Sequence, residues 1–298
     1  MPSPRLRLLI PALAAALLFA GGARASALLD SLKKGTPDLK SAGVLCFGPE
    51  GVLFIGDPQG GAVFAIDTED RTAGKGDRPK VEALDEKIAS MLGIESKQLL
   101  VNDACVNPIS GNVYLSAARG KGPDAAPVLL RVDRASKVEE FPLKDVKFAK
   151  AALPNPTTND KSRKDAITCL AFVKDRLYIS GLSNEEFASN LRSIAVPFAE
   201  ADKGASVEIF HGSHGQLETK SPVRTFVAYD VGGEANLLAA YTCTPLVKIP
   251  VADLKVGQKI QGKTIAELGN GNRPLDMIVY QKGGKDFLLM ANSKCGVM

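Results

Sequence analysis

The chain has 298 residues, 45% of them hydrophobic, with no tryptophan and a formal charge of +4. Three of those positive charges, Arg5, Arg7 and Arg24, lie in the first 25 residues, and no acid accompanies them. The remainder is close to neutral (+4 less three arginines leaves +1), so there is no electrostatic basis for binding nucleic acid or an anionic membrane surface.

In chain order, the first 30 residues, MPSPRLRLLIPALAAALLFAGGARASALLD, have the three parts of a secretory signal peptide. Arg5 and Arg7 precede an apolar run from Leu8 to Ala20, and Ala23-Arg24-Ala25 offers a small-x-small cleavage site before Ser26. The run is shorter than the roughly 20 residues a spanning helix needs, and no cysteine follows it to carry a lipid. Residues 1–25 are therefore expected to be removed, and 26–298 to form one secreted or periplasmic domain without a membrane anchor.

The domain is repetitive. AGVLCFGPEGVLFIGDPQGGAVFAID (42–67) is an apolar run, a polar turn, and a second run leading to a third. The same order returns in 102–133, in 165–196, in 224–251 and in 274–292, with the strand after the turn centred near Phe54, Tyr114, Tyr178, Leu238 and Leu288. Units of this size, each of several short strands, predict an all-β chain, a β-propeller of four-stranded blades. About five blades are visible. Charged runs at 80–84, 137–143, 206–210 and 259–268 are expected to be the outer strands. Cys295-Gly-Val-Met298 aligns with the start of a third strand, which suggests an interrupted fifth blade and six in the complete ring. The alternative is a five-bladed ring closed by residues 28–40. Short helices are expected at 85–93, where Gly93 supplies a stop, and after Ser183, which has capping-box spacing. The Pro-bearing stretch 153–165 reads as an exposed loop.

GQKIQGKT (257–264) fits the phosphate-loop pattern at every fixed position. Such a loop needs a full helix after it to present N–H groups to phosphate, and here IAEL is followed at once by Gly269-Asn-Gly-Asn-Arg-Pro274. No nucleotide binding is expected.

Two groups of residues carry chemistry. Asp103 and Asp276 hold matching positions in the innermost strands and would converge on a central channel, where with Asn102 they could hold calcium through oxygen. His211, His214 and Glu218, with Arg224 nearby, could bind zinc or an anionic ligand, although residues three apart in a strand point to opposite faces. The five cysteines show no C-x-x-C spacing, and four lie in or beside apolar runs, so buried inert thiols are favoured over a disulfide framework. No G-x-S-x-G nucleophile motif occurs, and no catalytic residue is assigned.

FGPEGVLFIGDPQGGAVFAID (47–67) resembles a blade of the NHL and SMP-30/gluconolactonase-like six-bladed propellers. NPISGNVYLS, ISGLSNEEFAS and RPLDMIVY together resemble a group of exported bacterial propellers. The resemblance implies a channel metal held by acidic and amide side chains in a lactone-opening enzyme. Only Asp103 and Asp276 carry over, and the family's early glutamate has no counterpart. Quinone-dependent propeller dehydrogenases pack their cofactor on tryptophan, which is absent. The expectation is an exported binding or scaffold module for a small molecule or another exported protein. The alternatives are a metal-dependent hydrolase and a protein-interaction platform.

Overall fold

The computed structural model describes residues 27–122, 125–211, 215–242, 245–269, 271–294 and 296–298. The expected signal peptide and His214 lie outside them.

The first sheet begins with β1 (Lys33–Gly35), β2 (Leu45–Phe47), β3 (Val52–Asp57) and β4 (Ala62–Asp67). Helix α1 (Leu84–Leu92) precedes a second sheet of β5 (Leu99–Val106), β6 (Val113–Arg119), β7 (Ala126–Val132) and β8 (Val138–Glu140). Then comes β9 (Val146–Ala152), which returns to the first sheet and pairs with β4, Ala65 opposite Ala149. The outer strand of blade 1 is thus 146–152 and not 80–84. Residues 80–83 run as coil and turn into α1, which begins at Leu84, with Ala83 in the left-handed region at φ 47. The small side chains of VKFAKAA lie flat along β4, and all of blade 2 is spliced between the third and fourth strands of blade 1.

Blade 3 comprises β10 (Cys169–Val173), β11 (Arg176–Leu182), β12 (Ser189–Ala195) and β13 (Ala205–His211), with β14 (Gln216–Glu218) hairpinned onto β13. Blade 4 follows as β15 (Val223–Val231), β16 (Glu234–Tyr241), β17 (Pro245–Pro250) and β18 (Lys259–Glu267). A fifth sheet has β19 (Pro274–Lys282), β20 (Lys285–Asn292) and β21 (Gly296–Val297), the third strand expected there. The innermost strands touch in the order β5, β2, β10, β15, β19. Blade 2 therefore sits on the far side of blade 1 from blade 3, and the blades do not follow chain order.

Blade 1, flanked on both sides, is buried along every residue of β3 and β4. Phe54, Val63 and Ala65 face blade 3, where Leu170, Leu177, Ile179 and Ile194 meet them. Leu53, Ile55, Phe64 and Ile66 face blade 2, against Tyr114 and Leu129. Helix α1 covers the other face of blade 2 with Ile88 and Leu92, over Leu115, Val128 and Leu130. Gly93, at φ 67, ends it as expected.

Two other expectations change. Residues after Ser183 form no helix: Ser183 bridges to Pro156, and its N–H donates to the Ala188 carbonyl, closing a turn. The segment 28–40 does not close a ring, because β1 lies along β9 at the outer edge of blade 1.

The segment 257–264 turns at Gly257 and becomes β18, with no helix after it. This strand pairs in parallel with β13, joining the outer edges of blades 3 and 4. Gly262 is needed there, since a Cβ would lie 2.4 Å from Val247 Cγ1. Gly262→Val should therefore destabilise the fold by about 1–3 kcal/mol, the ordinary cost of overpacking. Urea unfolding measures this, and an unchanged midpoint would contradict the close approach.

Candidate binding site in the central channel

Three innermost strands carry a bulge at the same point, between Val101 and Asp103, between Val223 and Thr225, and between Pro274 and Asp276. A bulge re-aims the side chains beside it. Each one puts a polar residue, Asp103, Thr225 or Asp276, just past the irregularity.

Asp103 and Asp276 line one cavity of about 290 Å³, together with Cys46, Cys169, Phe172, Phe226 and Met277. The innermost strand of each of the five blades described contributes to its wall. Repeated antiparallel sheets arranged around one shared channel decide the architecture. The chain is a β-propeller.

Asp103 Oδ2 accepts the Leu45 N–H of the neighbouring blade at 2.7 Å, and Oδ1 accepts the Ala104 N–H at 2.8 Å. Burial raises its pKa from 3.8 to about 6, against the lowering by those two N–H groups, and the nearby Asp276 charge adds to the rise. Asp276 Oδ1 accepts the Met277 N–H at 2.7 Å, and its carboxyl also bonds the Thr225 hydroxyl. Its pKa is raised too, by lost hydration first, against both hydrogen bonds.

Asn102 is the bulged residue itself. Its Nδ2 donates to the Ala42 carbonyl at 2.7 Å, tying blade 2 to blade 1, and it is not part of the cavity wall. Arg224 has the same place in β15. Its Nη1 donates to Asp165 at 2.8 Å and its Nε to Thr242 Oγ1 at 3.2 Å. With the two side chains 15% and 14% exposed, this is a largely shielded ion pair at the start of blade 3. His211 ends β13 opposite Gln216, and Glu218 ends β14, accepting the Ser221 hydroxyl. Of the sequence candidates, the channel unites Asp103 and Asp276.

Sequence reading missed a second element of the channel. Cys105 bonds the Phe47 backbone, Cys46 the Phe172 backbone and Cys169 the Phe226 N–H, the last at 3.4 Å. The three thiols thus link β5 to β2, β2 to β10 and β10 to β15. Burial raises all three pKa values, Cys105 to about 11 and Cys169 to about 12, with Cys46 pushed still higher. All three are free cysteines. The available signal was their shared place in the first apolar run of a repeat.

No protein-family model matches the chain, and no curated protein matches it either. Among solved structures, a luciferin-regenerating enzyme aligns at 9% identity over 87% of this chain and 88% of that one, with a TM-score of 0.30. A putative gluconolactonase aligns at 12% identity over 87% and 88%, TM-score 0.27. The PQQ-bound aldose sugar dehydrogenase of Streptomyces coelicolor aligns at 12% identity over 87% and 96%, TM-score 0.26. These superpositions are loose, and the assignment of the propeller rests on the sheet pairings and the common channel.

Two predictions follow from the channel geometry. The folded state holds the Asp103 proton more tightly than the unfolded chain does, so this group costs stability as pH rises from about 4 to about 6, and the loss levels off above that. Unfolding curves of wild type and Asp103→Asn should differ by a term falling across that window, and parallel curves would refute the shift. Alkylation of the native protein at pH 8, mapped by mass spectrometry, should spare Cys46, Cys105 and Cys169 until denaturant is added.

Proposed function

We propose that this propeller is an exported binding module that takes a small ligand at the channel through Asp103 and Asp276. The observation that carries the reading is the meeting of two carboxylates, from strands far apart in the chain, in one largely apolar cavity. Carboxylates only accept hydrogen bonds when ionised, so the complementary group bears N–H or O–H donors or a positive charge. Phe172, Phe226 and Met277 contribute to a wall that is otherwise largely apolar, so the part of the ligand away from the carboxylates is expected to be apolar. The signal-peptide pattern of residues 1–25 supports placement outside the cytoplasm.

The metal-dependent hydrolase is the second reading, favoured by the Asp103 pKa of about 6, which suits a general acid or base near neutrality. The donor set fits a metal poorly. Among the described residues no three His, Cys, Asp or Glu side chains gather in a way that could hold one. The two carboxylates carry four oxygens against the six to eight calcium takes, and three of the four already accept backbone N–H groups, while zinc sites use at least three protein ligands.

Elemental mass spectrometry on protein purified without chelator separates the two readings. The binding module predicts well below one equivalent of calcium, zinc or manganese, whereas one equivalent lost in Asp103→Asn or Asp276→Asn would favour the hydrolase. A thermal-shift panel of small amines and polyols then tests the binding reading. A ligand at about a hundred times its Kd stabilises by about 2.7 kcal/mol. That shift should vanish in the Asp103→Asn, Asp276→Asn double variant.

A further inference from the structure

The splice that places blade 2 between two strands of blade 1 leaves a second cavity, of about 510 Å³, where the chain departs and where it returns. Its walls are the end of β4 with the turn after it, the facing strands β7 and β8, the segment 141–147 that leads into β9, and Lys34 of β1. It is larger than the channel cavity and shares no residue with it.

Charged residues of both signs line this cavity, and some of them are neutralised within the protein. Asp67 pairs with Arg71 at 2.6 Å, and Glu139 pairs with Arg131 and Lys137. Four others are not neutralised. Among the described residues, Lys34, Lys147, Glu69 and Asp145 take part in no ion pair. Lys34 and Lys147 lie directly opposite each other across β1 and β9, so two like charges share one face, which costs stability. Glu69 stands just past the end of β4 and Asp145 just before the start of β9, the strand that pairs with β4. Both have a left-handed backbone, with φ 55 and 60, without the freedom glycine has there. Strain of this kind gathers at binding and catalytic sites.

Asp67 adds a buried acceptor. Its side chain is 3% exposed, and both its hydrogen bonds, from Arg71 Nη2 at 2.6 Å and the Glu69 N–H at 2.9 Å, fall on Oδ1. Among the described residues nothing donates to Oδ2, and a buried acceptor without a donor is costly.

The four unpaired groups, two lysines and two carboxylates, sum to zero charge. An anion alone would answer the lysines and leave the acids unmet, and a cation alone would do the reverse. A ligand that carries both charges answers both. Phe141, Pro142 and Val146 add apolar surface to the same wall. We propose that this cavity binds a zwitterionic amino acid with an apolar side chain. Its ammonium, with three N–H donors, is met by Asp67 Oδ2, Glu69 and Asp145, its carboxylate by Lys34 and Lys147, and its side chain by Phe141 and Pro142.

The test is isothermal titration calorimetry with L-leucine and L-phenylalanine, and with each of them capped at one end, as the amide or as the N-acetyl derivative. A free amino acid should bind at one per chain, and each of its capped forms should bind more weakly by about tenfold or more. Lys147→Gln and Glu69→Gln should each weaken binding of the free form by about tenfold. Both side chains are exposed, so folding should survive the changes. Hydrogen exchange with and without the amino acid gives a second readout that needs no variant, with protection rising over 67–69 and 141–147. The proposal is overturned if neither amino acid binds at millimolar concentration, or if a capped form binds as tightly as the free one. Binding that both variants leave unchanged, or protection that falls on the channel strands instead, would overturn it as well.

Discussion

The propeller depends on how its innermost strands are fastened to one another. Each blade offers its neighbour a narrow strip of backbone beside the channel, where N–H groups have no partner within their own sheet and limited access to water. Acceptors from the next blade meet them. Asp103 takes the Leu45 N–H, and Cys105, Cys46 and Cys169 take those of Phe47, Phe172 and Phe226. A hydrogen bond to a charged group is worth roughly 1.5–3 kcal/mol, and a weak thiol acceptor gives less. Leaving a buried N–H unpaired costs a comparable amount. Small side chains with one soft or charged acceptor therefore suit this strip, and its cysteines are fasteners with chemically quiet thiols.

The same strip explains the electrostatics of the channel. Asp103 is bonded by two N–H groups, which alone would lower its pKa, yet the net shift is upward because the apolar wall removes more hydration than the two bonds restore. A carboxyl held in that balance titrates near neutrality. The channel can accordingly present two charges, one or none as pH and ligand change, and a donor-bearing ligand favours the charged forms.

Blade 2 shows a different constraint. Splicing it into blade 1 puts 78 residues, 68–145, between two strands of one sheet, and the return strand must still lie flat against β4. Alanines on both partners, Ala62 and Ala65 with Ala149 and Ala152, permit this. The helix α1 then covers most of the face that blade 2 would otherwise leave to water. Burial on both sides gives blade 1 the largest share of the core, at the cost of an order of blades that differs from the order of the chain.

The repeats, the turn residues and the period-two alternation were legible from local sequence, because each repeat is one supersecondary unit whose strands and turns are specified within itself. The all-β class, the three inner strands of each blade, helix α1 and the inward position of Asp103 and Asp276 followed from that. The neighbour relations of the blades did not, because KVEAL and VKFAKAA compete for one edge and only packing against Ala62–Ile66 selects the second. Nor did the divergence of Asn102 from Asp103 and the pairing of Arg224 with Asp165. Both depend on bulges, where one inserted residue reverses which side chain faces the channel. The repeat alone set residues 103 and 276 at equivalent places in two blades, whereas the walls of their shared cavity were decided only by the tertiary structure, since a channel is made by strands from every blade and belongs to no single stretch of chain.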